Sequence, residues 1–157
     1  MKAFLKSFVY AFKGFGWMVT HERNFRIHLT FLGFMTYFLA RFDFFVLSRS
    51  EIAILIITSA LVVASEMINT AIEKTNDAAV KDHNVAVKIA KDVSAGAVLV
   101  FAVSSVFIGV ALLWQPEAFR ALYVHYTENP FGLVCLAAAI VLSIVFIFKF
   151  DFSKKEK

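Results

Sequence analysis

The stretch IAILIITSALVVASEMINTAIEKTND, residues 52–77, decides the fold of this chain. Between residues 52 and 72 it contains one charged side chain, that of Glu66. A helix of about 20 apolar residues is long enough to cross the hydrocarbon layer of a bilayer. The stretch therefore predicts a membrane-spanning helix that carries a carboxylate inside it.

The composition of the whole chain agrees with a membrane setting. Of its 157 residues, 60% are hydrophobic and 19 are Phe, and the mean hydropathy is +0.74. A water-soluble domain of this length could not bury so much apolar surface. The net charge of +4 is spread between apolar segments and forms no single basic patch. This distribution indicates lipid headgroups or substrate phosphate as the anionic partner and argues against nucleic acid.

Three further segments are candidate spans. Residues 93–116 and 129–148 contain no charged residue. Residues 27–47 are interrupted by Arg41 and Asp43, so we interpret them as a span over 27–40 that continues into an interfacial stretch. The first 26 residues differ, because their Phe side chains recur at helical spacing. They predict an amphipathic helix in the membrane interface.

The distribution of Lys and Arg predicts the orientation. Placing both termini and the second loop on one side puts 5 + 4 + 4 = 13 basic residues there, against 2 + 1 = 3 on the other side. Basic residues are concentrated on the cytoplasmic side of membrane proteins. We therefore predict an all-α integral membrane protein with an N-terminal interfacial helix, four transmembrane helices and both termini cytoplasmic.

Four polar side chains follow one another at helical spacing at the predicted cytoplasmic end of the second span. They are Glu66, Asn69, Glu73 and Asp77, separated by three, four and four residues, which places them in one stripe. Three acids in a stripe repel one another unless a cation lies against them. At about 1.5 Å per residue, Glu66 lies on the order of 10 Å deeper than Glu73. The deep carboxylate can meet a lipid headgroup, and the shallow ones can hold a hydrated cation.

Two more polar clusters are predicted at the same membrane face. One contains Lys88, Lys91 and Asp92, before the third span, and the other is residues 20–26, before the first. Carboxylates with a lysine are the groups that bind magnesium and nucleotide phosphate. The chain lacks the Gly-x-x-x-x-Gly-Lys-Ser/Thr sequence of a P-loop and the paired Cys or His-Glu-x-x-His patterns of zinc sites.

Other interpretations of these residues remain open at this point. A Glu inside a span can be a packing or pairing residue, and Lys91 and Asp92 can simply cap the third span. Helix packing is the expected role of the small polar residues Ser65, Thr70, Ser94, Ser104 and Ser105. The alternatives to an enzyme are an ion conductor and a small membrane scaffold. A conductor needs a continuous polar path, which the outer halves of the second and third spans do not offer.

Three segments of this chain resemble the prokaryotic diacylglycerol kinase family, in particular its undecaprenol kinase branch. They are EMINTAIEKTND (66–77), AKDVSAGAV (90–98) and ERNFRIH (22–28), and the resemblance extends from about Phe4 to Trp114. It implies a bacterial plasma-membrane enzyme that uses magnesium and ATP to phosphorylate a lipid alcohol at the cytoplasmic face, and that works as a homotrimer with shared active sites. Undecaprenol is the favoured lipid and diacylglycerol the alternative.

The resemblance also implies roles for individual residues. Glu66 matches the general base and Asn69 the residue that orients it, while Glu22 and Glu73 match the metal-binding carboxylates. The positions that match nucleotide contacts are Tyr10, Asp82, Asn84, Lys91 and Asp92. Asn84 stands where the family has a histidine, which is a departure from its pattern. A second departure is the fourth span, so we expect a kinase core over 1–114, and an external loop, a further span and a basic tail over 115–157.

Overall fold

The computed structural model describes residues 2–79 and 84–149, with side chains from residue 4 onward. These residues form six α-helices and no strand. The helices are α1 (Lys2–His21), α2 (Arg23–Arg41), α3 (Arg49–Ala79), α4 (Val85–Leu113), α5 (Pro116–Glu128) and α6 (Pro130–Lys149). The predicted basic tail beyond α6 lies outside the described residues. The all-helical prediction is confirmed, and the chain divides into two compact units.

The first unit contains the described residues of 1–33 and 126–157, and so holds α1, the start of α2 and α6. The predicted Phe stripe lies along α1, where Phe4 and Phe8 are exposed with their rings in edge-on contact, 5.0 Å apart. Toward the end of α1, Phe15 contacts the ring of Phe25 on α2, at 5.1 Å between centroids. The stripe is therefore open to its surroundings at the start of α1 and packed on α2 at its end.

The second unit contains residues 34–125, and α3 and α4 form its principal helix pair. The start of α3 is fixed by a reciprocal capping box. The backbone N–H of Ser48 donates to the Glu51 carboxylate at 2.6 Å, and the backbone N–H of Glu51 donates to the Ser48 hydroxyl at 3.3 Å. Both bonds satisfy N–H groups that a helix start leaves without partners.

Three described helices, α3, α4 and α6, are long and apolar enough to cross a membrane. They correspond to three of the four predicted spans. The helix over the remaining prediction, α2, is not among them. Its 19 residues include Arg23, Arg26, His28 and Arg41, which lower its hydropathy. The first of the four predicted spans, which falls on α2, therefore stays a prediction.

The segment predicted as an external loop at the start of 115–157 contains helix α5, which runs from Pro116 to Glu128. Pro116 occupies the first helical position, where its missing N–H costs no hydrogen bond. Just before it, the side chain of Gln115 forms two hydrogen bonds with the backbone of Val46. Its oxygen accepts from Val46 N–H at 3.0 Å and its nitrogen donates to Val46 O at 3.1 Å. The connection between α2 and α3 is thus tied to the end of α4.

Candidate active site

The buried face of α3 changes from apolar to polar along the helix. Its first half buries Leu55 and Val62, whereas its second half buries four polar residues: Ser65, Glu66, Asn69 and Thr70. Glu66 is only 3% exposed. Burying polar groups within a membrane-spanning helix is costly, so their concentration on one face is a sign of function.

Burial decreases toward the carboxyl end of the predicted stripe. Glu66 and Asn69 are buried, Glu73 is half-buried and the Asp77 side chain is 62% exposed. All four lie on the continuous helix α3, as the spacing predicts. The stripe therefore leads from a shielded position inside the protein to open solvent.

A hydrogen-bonded chain runs through the middle of this stripe. The Ser94 hydroxyl on α4 donates to the Asn69 amide oxygen at 2.7 Å, and the Asn69 amide nitrogen donates to a Glu73 carboxylate oxygen at 3.0 Å. The same Ser94 hydroxyl lies 3.0 Å from the carbonyl oxygen of Lys91. With its oxygen held from one side and its nitrogen from the other, the amide of Asn69 has one orientation that satisfies both ends.

Ser94 is the site residue that sequence reasoning missed, because it was assigned to helix packing. It is buried and reaches across to α3, so it does join the two helices. Its more specific effect is to orient Asn69. The sequence signal was its position three residues after Lys91, which places both on one face of α4.

Lys91 and Asp77 form an ion pair between α4 and α3. The Lys91 side chain is 34% exposed and Asp77 is more exposed still, so water screens the pair. The contact brings Lys91, one member of the predicted cluster before the third span, to the stripe on α3. With Asn69 meeting Ser94 and Asp77 meeting Lys91, the two helices run antiparallel.

Among the described residues, no group of three or more His, Cys, Asp or Glu side chains is placed to hold a metal ion. Magnesium needs fewer protein ligands than that, because it is usually bound by one or two carboxylates together with substrate phosphates and water. Glu73 fits such a role. One of its carboxylate oxygens accepts from Asn69, which leaves the other for a cation at the solvent-facing part of the stripe.

The other predicted site residues are distributed as follows. Asn84 caps the start of α4, where its side-chain oxygen accepts from Ala86 N–H at 2.9 Å, so a nucleotide contact would fall to its amide nitrogen. Asp92 is exposed on α4, and Asp82 lies outside the described residues. Tyr10 is exposed on α1, and Glu22 is half-buried at the junction of α1 and α2. These last two belong to the first unit, whereas Glu66, Asn69, Glu73 and Lys91 belong to the second.

The fold and this site define a class: a helical membrane protein with a buried carboxylate and an oriented amide, leading out to an acid and a lysine. The chain belongs to the prokaryotic diacylglycerol kinase family, whose profile matches residues 9–113. The matched segment contains all of the predicted site residues.

Two relatives are similar to this chain. It is 41% identical over 113 residues to a diacylglycerol kinase from Synechocystis sp., in a match that covers 71% of this chain and 63% of that protein. It is 36% identical over 123 residues to an undecaprenol kinase from Bacillus subtilis, covering 74% of this chain and 92% of that protein. The chain thus spans less than two thirds of the first relative but almost all of the second. No solved structure matches it.

Proposed function

We propose that this protein is an ATP-dependent lipid kinase that transfers the γ-phosphate of ATP to the hydroxyl group of a membrane lipid. The observation that carries the proposal is the stripe on α3, which joins the buried Glu66 to the solvent-exposed Asp77 through hydrogen-bonded Asn69 and Glu73. A lipid hydroxyl and a water-soluble nucleotide have to meet at such a boundary. Membership of the family supports the same chemistry.

In the proposed reaction, Glu66 accepts the proton of the lipid hydroxyl as its oxygen attacks the γ-phosphorus in line with the leaving ADP. Asn69, one turn further on, orients the reacting groups, and its own orientation is set by Ser94 and Glu73. Lys91 neutralises phosphate charge once nucleotide draws it away from Asp77.

The remaining polar residues bind the co-substrate. Glu22 and Glu73 would hold magnesium, which supplies neutralisation of the phosphate charge when it is bound. Tyr10, Asp82, Asn84 and Asp92 contact the nucleotide.

Undecaprenol is the lipid we favour, because residues 22–28 resemble the undecaprenol kinase branch and the match to the Bacillus subtilis protein covers 92% of that chain. Diacylglycerol is the alternative, supported by the higher identity to the Synechocystis protein. Both lipids present one primary hydroxyl to the same base, so the catalytic residues do not discriminate between them.

The proposal includes a setting for the enzyme. Four spans with both termini cytoplasmic place the site at the inner face of a bacterial plasma membrane, in agreement with the basic residues that flank it. A homotrimer is implied by the family resemblance. Its formation would cover part of the exposed apolar surface of α4, which includes Val93, Val100 and Phe107.

The test is ATP consumption by the purified protein in micelles with magnesium, comparing undecaprenol, diacylglycerol and no added lipid. Lipid-dependent turnover is expected, with the preferred lipid giving the higher kcat/KM. Glu66→Gln should abolish turnover while the protein remains folded, and Glu117→Gln, at an exposed position on α5, is the matched control. A scaffold protein would tolerate the loss of Glu66 and show no lipid-dependent turnover, which is the result that contradicts the proposal.

A further inference from the structure

Arg26 is the most deeply buried charged residue in the described part of the chain, with 1% of its surface exposed. It lies in the first turn of α2, and its guanidinium group makes three hydrogen bonds to two carbonyl oxygens. Nε and Nη2 donate to Ile147 O at 3.2 and 3.1 Å, and Nη1 donates to Val19 O at 3.1 Å. The two carbonyl groups belong to different helices. Val19 lies in the last turn of α1, and Ile147 lies in the last described turn of α6.

Two features of helix ends explain why a buried arginine is stable here. The last four carbonyl groups of an α-helix have no partner within the helix, and the aligned peptide dipoles make that end negative. One guanidinium therefore binds a carbonyl oxygen near the end of α1 and another in the last described turn of α6, and it places its positive charge beside both. Its planar fork suits this task, whereas the single ammonium group of lysine cannot reproduce the arrangement.

The backbone of Arg26 is tied to the predicted site. Its N–H donates to the carbonyl oxygen of Glu22 at 3.3 Å, and Glu22 N–H donates to Met18 O at 2.9 Å. Glu22, whose carboxylate we assign to metal binding, is thus joined through its backbone to the end of α1 on one side and to Arg26 on the other. Helix α6, which supplies the Ile147 carbonyl group, lies after residue 113, where the match to the family ends.

From this geometry we infer that Arg26 is a positioning residue, which docks α6 onto the junction of α1 and α2 and thereby fixes the backbone around Glu22. Helix α6 then contributes to the structure of the proposed kinase site, because its Ile147 carbonyl group accepts two of the three hydrogen bonds of the buried guanidinium. The docking stands on the hydrogen bonds alone, whereas the effect on Glu22 rests on the proposed function.

The docking is tested by hydrogen–deuterium exchange on the full-length protein in micelles. Arg26→Gln should raise exchange in the last turns of α6 and α1 by roughly tenfold or more, the change that follows from losing charge-assisted hydrogen bonds. Arg26→Lys, which keeps the charge without the fork, should give an intermediate increase, and it provides the measurement if the Gln variant does not fold. Arg120→Gln is the matched control, since it removes an exposed arginine on α5, outside the segments assigned to the site. Unchanged exchange at residues 144–149 in the Arg26 variants would overturn the docking.

The effect on Glu22 is tested by the magnesium dependence of turnover. Arg26→Lys should raise the magnesium concentration needed for half-maximal rate, and Arg120→Gln should not. In the double variant with Glu22→Gln, the Arg26 change should add no further increase, because both act on one ligand. Full additivity would overturn the role through Glu22 while leaving the docking intact. Absence of turnover in the unmodified protein would overturn the proposed function, and the exchange measurement would still decide the docking.

Discussion

Replacing Ser94 by Ala removes one hydroxyl and should disturb the orientation of Asn69 on the neighbouring helix. In the intact protein, that hydroxyl donates to the Asn69 amide oxygen at 2.7 Å, and both residues are 9% exposed. Without it, the amide oxygen lies buried with no donor from α4, and the amide is free to rotate away from Glu73.

The size of the effect follows from the kind of bond that is lost. Leaving a buried amide oxygen without a donor costs about 1–3 kcal/mol. Hydrogen bonds between membrane helices average roughly 0.6 kcal/mol, because alternative partners are found. We therefore expect a loss of about 1 kcal/mol, which corresponds to a fall in kcat/KM of about fivefold. The fall should appear mainly in kcat, because the amide acts on the reacting groups.

The assay is lipid-dependent ATP consumption in micelles, measured for Ser94→Ala beside Ser105→Ala. Ser105 is a matched control on the same helix, since its hydroxyl donates at 2.7 Å to Ala102 O, three residues earlier. Ser94 has the corresponding contact with Lys91 O, so the two variants differ in the bond to α3. Equal kinetics for the two variants would refute the reasoning, because the bond to Asn69 would then have no influence on catalysis.

Three further changes test separate parts of the site and fold. Glu73→Gln keeps an oxygen that can accept from the Asn69 amide, so the protein should fold. The magnesium concentration for half-maximal rate should nevertheless rise tenfold or more. An unchanged magnesium titration would contradict the metal role. Asp77→Asn removes a screened ion pair worth about 0.2–1 kcal/mol, so freed Lys91 should lower the KM for ATP by about 1.4- to 5-fold, and a raised KM would contradict this competition. Gln115→Ala removes three hydrogen bonds at the far end of α4, two to the backbone of Val46 and one to Leu112 O, so a thermal unfolding scan should show a Tm lower by about 2–4 °C with turnover unchanged. Reduced turnover would show that this end influences the site.

The stripe on α3 could be predicted from the sequence because it depends on local geometry alone. Once residues 52–77 are assigned to one helix, spacings of three and four place Glu66, Asn69, Glu73 and Asp77 on one face whatever surrounds them. The same reasoning gave the Phe stripe of α1. The spacing of Ser94 from Lys91 did not by itself reveal its role, since that role depends on which face of α4 meets α3, and from Val93 onward α4 carries no charged residue that marks this face.

Two other features required the tertiary structure. The link between Arg26 and Ile147 joins residues 121 positions apart, and no local pattern marks a carbonyl group as the partner of a distant side chain. Helix α5 lies in the segment predicted as an external loop, and its 13 residues mix apolar and polar side chains and are too few to span a membrane. Its start at Pro116 was visible in the sequence, but proline also begins turns, so that signal alone does not decide between them.

The burial of Glu66 bears on the competition between water and the lipid hydroxyl for the phosphoryl group. Water is abundant and can accept a phosphoryl group, whereas the lipid hydroxyl is confined to the membrane surface. Glu66, the proposed base, is 3% exposed on the buried face of α3, so it is withdrawn from bulk water and is placed to activate a hydroxyl that arrives from the lipid side. A base three turns further along α3, at the position of Asp77, would lie in solvent, where water would compete as the acceptor. In the proposed mechanism, the change from apolar to polar residues along α3 therefore selects the acceptor as well as supplying the base. The ratio of lipid phosphorylation to lipid-independent ATP hydrolysis is the quantity in which this selection would be seen.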